Sequence, residues 1–214
     1  MKTAYKLTNS KMRTHKGFQW ELGKWYETMG RWSLCSPGWF HFYNDPLVGM
    51  FMNPIHANIK NPRLFRAEVE GKFLDDNGTR YGYSRARLIE ELPVPQISPV
   101  QRVRFAIFCV KEVYKTKKWN KWADNWLSGK DRTIDTAWNT NSNFYTFYTP
   151  RATSVVTATE SAFYAVESAA SAVSVKNKKN APGNAANAAN SAVRSATKNK
   201  KIDLIRIARK AMKE

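Results

Sequence analysis

The alternation of apolar and polar positions changes period near residue 95. Before it, side chains alternate every second position. Phe65, Ala67 and Val69 are interleaved with Arg66, Glu68 and Glu70, which predicts a strand with one buried face. Asp75-Asp76-Asn77-Gly78 follows as a hairpin-type turn, and residues 80–92 read as the return strand. Shorter alternating or aromatic runs predict strands at residues 3–8, 17–21, 24–27 and 39–43. Asp45-Pro46-Leu47 reads as a helix start, with the aspartate capping and the proline at the first helical position. Asn53-Pro54 predicts its end.

Beyond residue 95 the period becomes helical. Ser98-Pro99-Val100-Gln101 is a capping box, followed by a stripe of Val100, Val103, Ile107, Val110 and Tyr114. Trp119, Trp122, Ala123, Trp126 and Leu127 form the next stripe, which Gly129 ends. Asp131 or Thr133 can cap a third helix carrying Ile134, Ala137, Trp138 and Tyr145. Thr149-Pro150 opens a fourth through Val155, Ala162, Val166, Ala169 and Val173. Pro182-Gly183 predicts a break before an alanine/asparagine-rich helix at 184–197. Residues 201–213 read as a basic amphipathic helix with Ile205, Ala208 and Met212 inward. Between the two regimes Pro93, Pro95 and Pro99 exclude helix interior and central strand. The reading is α+β: a small β-rich domain over residues 1–95, then an α-helical, alanine-rich domain over 96–214.

Composition sharpens the picture mainly through charge. The 214 residues carry a formal net charge of +18. Residues 1–97 hold 14 basic and 9 acidic side chains, whereas residues 98–214 hold 21 and 8. The helical half is therefore where a polyanion is drawn first. The lysine clusters there are Lys115, Lys117, Lys118 and Lys121; Lys176, Lys178 and Lys179; and Lys198, Lys200 and Lys201. Lysines interleaved with Trp119, Trp122 and Trp126 suit either a core helix with a cationic outer face or a stacking platform for unpaired bases. No apolar run reaches the roughly 20 residues of a membrane span. Two cysteines make no disulfide framework, which suits a reducing cytoplasm.

Residues 16–26 (Lys16-Gly17-Phe18-Gln19-Trp20-Glu21-Leu22-Gly23-Lys24-Trp25-Tyr26) resemble the opening of an uncharacterised bacteriophage and prophage domain family. Cys35, the Gly38 to Tyr43 element, Asn44-Asp45-Pro46-Leu47, Glu68-Val69-Glu70-Gly71 and Ile89-Glu90-Glu91-Leu92 follow in the order that family shows. The resemblance covers roughly residues 3–92, with Trp39 extra between Gly38 and Phe40. The helical half is similar to an alanine-rich extension carried by some of these proteins. The resemblance implies a phage origin, and with it the cytoplasm of a host bacterium; it implies no activity.

Sites with chemistry are few. Cys35, His41 and His56 lack the close-spaced pair usual in zinc sites, so no metal is expected, and Cys35 reads as a small buried residue. No phosphate-cradling glycine loop and no nucleophile elbow occur, so no cofactor is expected. His41 with Glu68 and Glu70 is reminiscent of ADP-ribosyltransferases, in which a strand glutamate serves an oxocarbenium-like centre; the plain reading of both glutamates is the solvated face of a strand. The expectation is a non-catalytic phage accessory protein that binds nucleic acid, DNA or RNA, through its basic helical surface. The alternatives are an inhibitor that binds a host defence protein of acidic character, and an ADP-ribosyltransferase-like enzyme. Alanine faces pack equally well within a chain and between copies, which leaves a homo-oligomer open.

Overall fold

The computed structural model describes residues 1–141, 153–174, 177–196 and 201–213. The chain forms two compact units, Met1–Gln96 and Ile97–Glu214, which are described separately.

The first unit is built on an antiparallel sheet of β1 (Lys2–Thr8), β2 (Tyr26–Glu27), β3 (Phe40–Phe42), β4 (Arg63–Asp75) and β5 (Tyr81–Leu92), with α1 (Pro46–His56) inserted between β3 and β4. The order is β1-β4-β5-β2, and β3 also pairs with β5. Just past β3, Tyr43 and Tyr5 exchange backbone hydrogen bonds of 2.8 and 2.9 Å, so the sheet curls back onto the outer edge of β1. That contact satisfies part of an edge that would otherwise be open. The long hairpin β4–β5 has two register shifts, one between Arg66 and Ala67 and one between Glu70 and Phe73. Gly71 sits in the second with φ 80°, and a Cβ there would lie 2.4 Å from Ser84 Oγ. Only glycine takes this φ without strain and without displacing the Ser84 side chain of the partner strand. Phe65, Ala67 and Val69 are fully buried, as their alternation predicts, and pack with Ala4, Trp20, Phe42, Ala86 and Leu88.

Two expectations for this unit are corrected. Residues 17–21 form no strand. A 3-10 turn (His15–Gly17) takes their first residue, and among the described residues their only ladder contact is the isolated bridge Arg13↔Gln19, with Leu22↔Leu88 just beyond. The Gln19 side chain donates to the Lys11 and Trp20 carbonyls and so replaces ladder bonds. Helix α1 does not stop at Asn53-Pro54 but runs to His56 with Pro54 inside it. The proline costs the last turn one hydrogen bond, but Asn53 compensates: its side chain donates to the Ile59 carbonyl and accepts from the Ile59 N–H, at 2.9 and 3.1 Å. The cap itself is as expected, with Asp45 accepting from Leu47 and Val48.

The second unit is helical: α2 (Pro99–Val113), α3 (Lys117–Leu127), α4 (Ile134–Asn141), α5 (Thr153–Val173), α6 (Ala181–Ser195) and α7 (Leu204–Met212). Ser98 and Gln101 form the capping box on α2. The core joins Val103, Ile107 and Val110 of α2 to Trp119, Trp122 and Trp126 of α3 and to the alanines of α5 and α6. Ala185, Ala186, Ala188, Ala189 and Ala192 are all buried. Their small side chains let the α6 backbone come close to its neighbours, and Ser168 Oγ of α5 reaches the Ala181 carbonyl at 2.9 Å.

Here too the structure amends the sequence reading. Pro182-Gly183 does not separate helices; it occupies the first turn of α6, where the N–H that proline lacks would have no helical partner. In α7 the buried residues are Leu204, Ile207, Ala208 and Ala211, whereas Ile205 and Met212 are half-buried. The helix starts at Leu204, with Asp203 accepting from Arg206 N–H, and that start fixes which face turns inward. Trp138 and Val173 point outward, at 48% and 46% exposure. The expected roles of Tyr145, Thr149, Pro150 and Thr197 lie outside the described residues, as does the side chain of Val155. Among the described residues no helix is long and apolar enough to cross a membrane.

Candidate functional site

The basic residues of the two units are used differently. In the first unit four of the arginines pair with glutamates across the sheet. Arg87 pairs with Glu68 at 2.6 Å, and Arg85 pairs with both Glu70 and, at 2.7 Å, Glu27. Arg66 pairs with Glu90, and Arg63 grips Glu91 through Nη2 and Nε at 2.6 and 2.7 Å. The Arg85 and Arg87 guanidinium groups also lie over the Trp25 ring, 4.2 and 4.8 Å from its centroid. The register of β4 and β5 dictates this ladder, because Glu68 faces Arg87 and Glu70 faces Arg85.

This arrangement bears on the weak catalytic trio. Glu68 and Glu70 are engaged by arginines, and His41 bonds to neither. His41 lies on β3 opposite Gly82, and its Nε2 meets the Leu34 carbonyl. Burial lowers its pKa to about 4. Both glutamates are half-buried on the sheet.

One residue of the first unit escaped the sequence reading. Lys6 shares a strand face with Ala4 and Thr8, and its ammonium is buried among aromatic rings. It lies 4.9 Å from the Phe42 centroid and 5.3 Å from that of Trp20, and it donates to the His41 carbonyl at 2.6 Å. Burial pulls its pKa down to about 7. Nearby, His56 stacks on Tyr43 and is lowered to about 4, also by burial. Cys35 is exposed rather than buried, because the loop that carries it turns its side chain outward to meet Arg80 Nη2 at 2.9 Å. Among the described residues no three histidines, cysteines or carboxylates gather as a metal site.

In the second unit the tryptophans of α3 are core. Trp119, Trp122 and Trp126 are 1%, 6% and 1% exposed, which leaves them no face for a base. The stacking-platform reading is thereby withdrawn: the apolar stripe of an amphipathic helix went to the interior. Its outer face carries Lys117, Lys118 and Lys121, all exposed, with Lys115 just before the helix. Lys115 turns its ammonium back to the Lys111 carbonyl, and Asp124 is taken by Lys111. Among the described residues no carboxylate pairs with Lys117, Lys118 or Lys121.

The position of these cations is against local stability. Lys117 and Lys118 open the helix, no acidic residue lies in the first turn, and Thr116 at the N-cap makes no side-chain hydrogen bond. The positive end of the helix dipole and its unsatisfied N–H groups thus meet ammonium groups of the same sign. Helix α7 is the opposite case. Arg209 and Lys210 lie in its last turn, where the dipole favours them, and Arg206 pairs with Glu112 at 2.9 Å. Lys210 sits 4.2 Å from the Phe108 ring centroid. Of the other predicted contacts, Lys179 and Lys201 are exposed. Lys176, Lys198 and Lys200 lie outside the described residues, as does the side chain of Lys178.

Comparison with known proteins adds one match. Residues 2–99 are similar to a domain of unknown function (DUF7666). No curated protein and no solved structure matches the chain.

Proposed function

We propose that the chain binds nucleic acid through its helical unit, as an accessory protein of the phage setting that the resemblance of residues 3–92 implies. The observation that carries this is the opening of α3, where exposed lysines without carboxylate partners crowd the positive end of a helix. Cations placed there cost stability and would be relieved by phosphate oxygens. The residual charge supports the same reading, since the first unit pairs most of its arginines while the helical half keeps its surplus. The buried tryptophans hold α3 in place beneath the lysines, so the contact is charge-driven and reads no base. Lys179 and Lys201, also exposed, add to the cations of the helical unit.

Mobility shift with duplex DNA and with RNA at 50 and 200 mM salt tests the reading. It expects retardation of both at the lower salt and much weaker retardation at the higher. Absence of any shift at 50 mM removes it. An acidic host protein would meet the same lysines; a partner recovered from nuclease-treated lysate, together with no shift by either nucleic acid, would favour that reading.

A further inference from the structure

Six of the eight tryptophans are accounted for: Trp20, Trp39, Trp119, Trp122 and Trp126 are buried, and Trp25 is covered by two arginines. Trp138 is exposed on a regular helix, which costs the backbone nothing. Trp32 is different. It is 64% exposed, and its backbone sits at φ 65°, a left-handed conformation that a bulky residue rarely adopts.

The loop around it holds that conformation firmly. Gly30 N–H donates to the Gly38 carbonyl at 2.9 Å and closes the loop at its base. Gly38 approaches so closely that a Cβ would lie 2.3 Å from the Arg31 carbonyl oxygen. That same carbonyl accepts from Ser36 Oγ, and the Trp32 carbonyl accepts from Trp39 Nε1 at 3.2 Å. Beside the base, Lys72 Nζ donates to the Met29 carbonyl. A compact loop therefore spends hydrogen bonds to hold an indole out in solvent. Its flanking charges are cationic: Arg31 and Lys72 are exposed, and residues 28–39 contain no carboxylate.

We propose that Trp32 is a stacking site for an unpaired nucleobase, with Arg31 and Lys72 supplying contacts to the adjoining phosphates. An exposed aromatic face with cations on its own loop and at the loop's base matches single-stranded nucleic acid, whose bases stack on indoles without sequence preference. The site rests on the nucleic-acid reading for its ligand class but not on the α3 lysines. It lies in the first unit and recognises a base, whereas α3 recognises backbone charge.

The test uses the full chain and fluorescence anisotropy with labelled oligo(dT) of eight nucleotides and with its abasic counterpart. W32G removes the indole and relieves the left-handed strain, so its melting temperature should equal or exceed that of the parent. The variant should bind oligo(dT) about tenfold more weakly. It should bind the abasic strand as the parent does, and W32F should recover most of the loss. Equal affinity of W32G and the parent for oligo(dT), or an equal loss on both strands, overturns the site. So does failure of the parent to bind oligo(dT) at 50 mM salt, which would point to a protein partner for the indole. The variant K117Q/K118Q/K121Q separates the two ideas: it should lose affinity equally for both strands while keeping the oligo(dT) preference that W32G loses, and if it binds both strands as the parent does, Trp32 stands and the α3 reading falls.

Discussion

Single residues show where this protein departs from what its local sequence favours. Lys6 is the clearest case, because among the described residues an ammonium enclosed by Trp20 and Phe42 has only the His41 carbonyl as a hydrogen-bond acceptor. Its folded pKa of about 7 lies below the unfolded value of 10.5, so the unfolded chain holds more protons between these values. Stability of the first unit should therefore rise from about pH 7 toward pH 10.5. His41 and His56, lowered from 6.5 to about 4, should weaken it further as pH falls between those values. Calorimetry of the full chain at pH 5, 7 and 9 should show the first unit's transition moving upward at each step. In K6M the rise above pH 7 should disappear, and the variant should gain on the order of a few kcal/mol at pH 6. An unchanged pH profile in K6M would show that another group carries the effect. Lys6 was hidden in the sequence because one lysine in a short alternating strand reads as solvent-facing; only the curled sheet and the aromatic neighbours reveal it. Gly71 is simpler. Its φ of 80° and the 2.4 Å approach to Ser84 predict that G71A loses about 2 kcal/mol in chemical denaturation, more than a glycine-to-alanine change at an unstrained turn.

At the scale of elements, what was legible followed local rules. The capping box at Ser98, the Asp45 cap with Pro46, the β4 alternation and the stripe of α3 all appear where their residues place them. Each depends on neighbours within one or two turns. The departures came from longer-range partners. Asn53 reaches Ile59 to carry α1 past Pro54, and Gln19 spends its amide on backbone carbonyls, which leaves residues 17–21 out of the sheet. Proline at 182 read as a break because its place in a helical turn was not visible before the helix start was known. The alanine-rich α6 gives a test of packing. Ala186 and Ala189 are fully buried on a close-packed face, so A189L should force a shift and cost about 1–3 kcal/mol by urea unfolding. A neutral result would mean a looser contact than the buried alanines imply.

For the molecule as a whole, the division of charge matters more than its total. The sequence showed where the surplus lies, because counting needs no fold. It did not show that the first unit's arginines are spent on a cross-strand ladder, since that depends on the register of β4 against β5. Nor did it decide between the two readings of the α3 tryptophans, or show that Trp32 faces out. The helical unit keeps cations that its own carboxylates do not answer, and Lys117 and Lys118 open α3 with Lys121 one turn further on. The most direct measurement is the salt dependence of binding to a short DNA duplex, compared between the parent chain and K117Q/K118Q/K121Q. If these lysines meet phosphates, the slope of log K against log salt should be shallower by about 3 in the variant. Parallel lines with equal affinities would contradict the account and free those lysines of any part in binding.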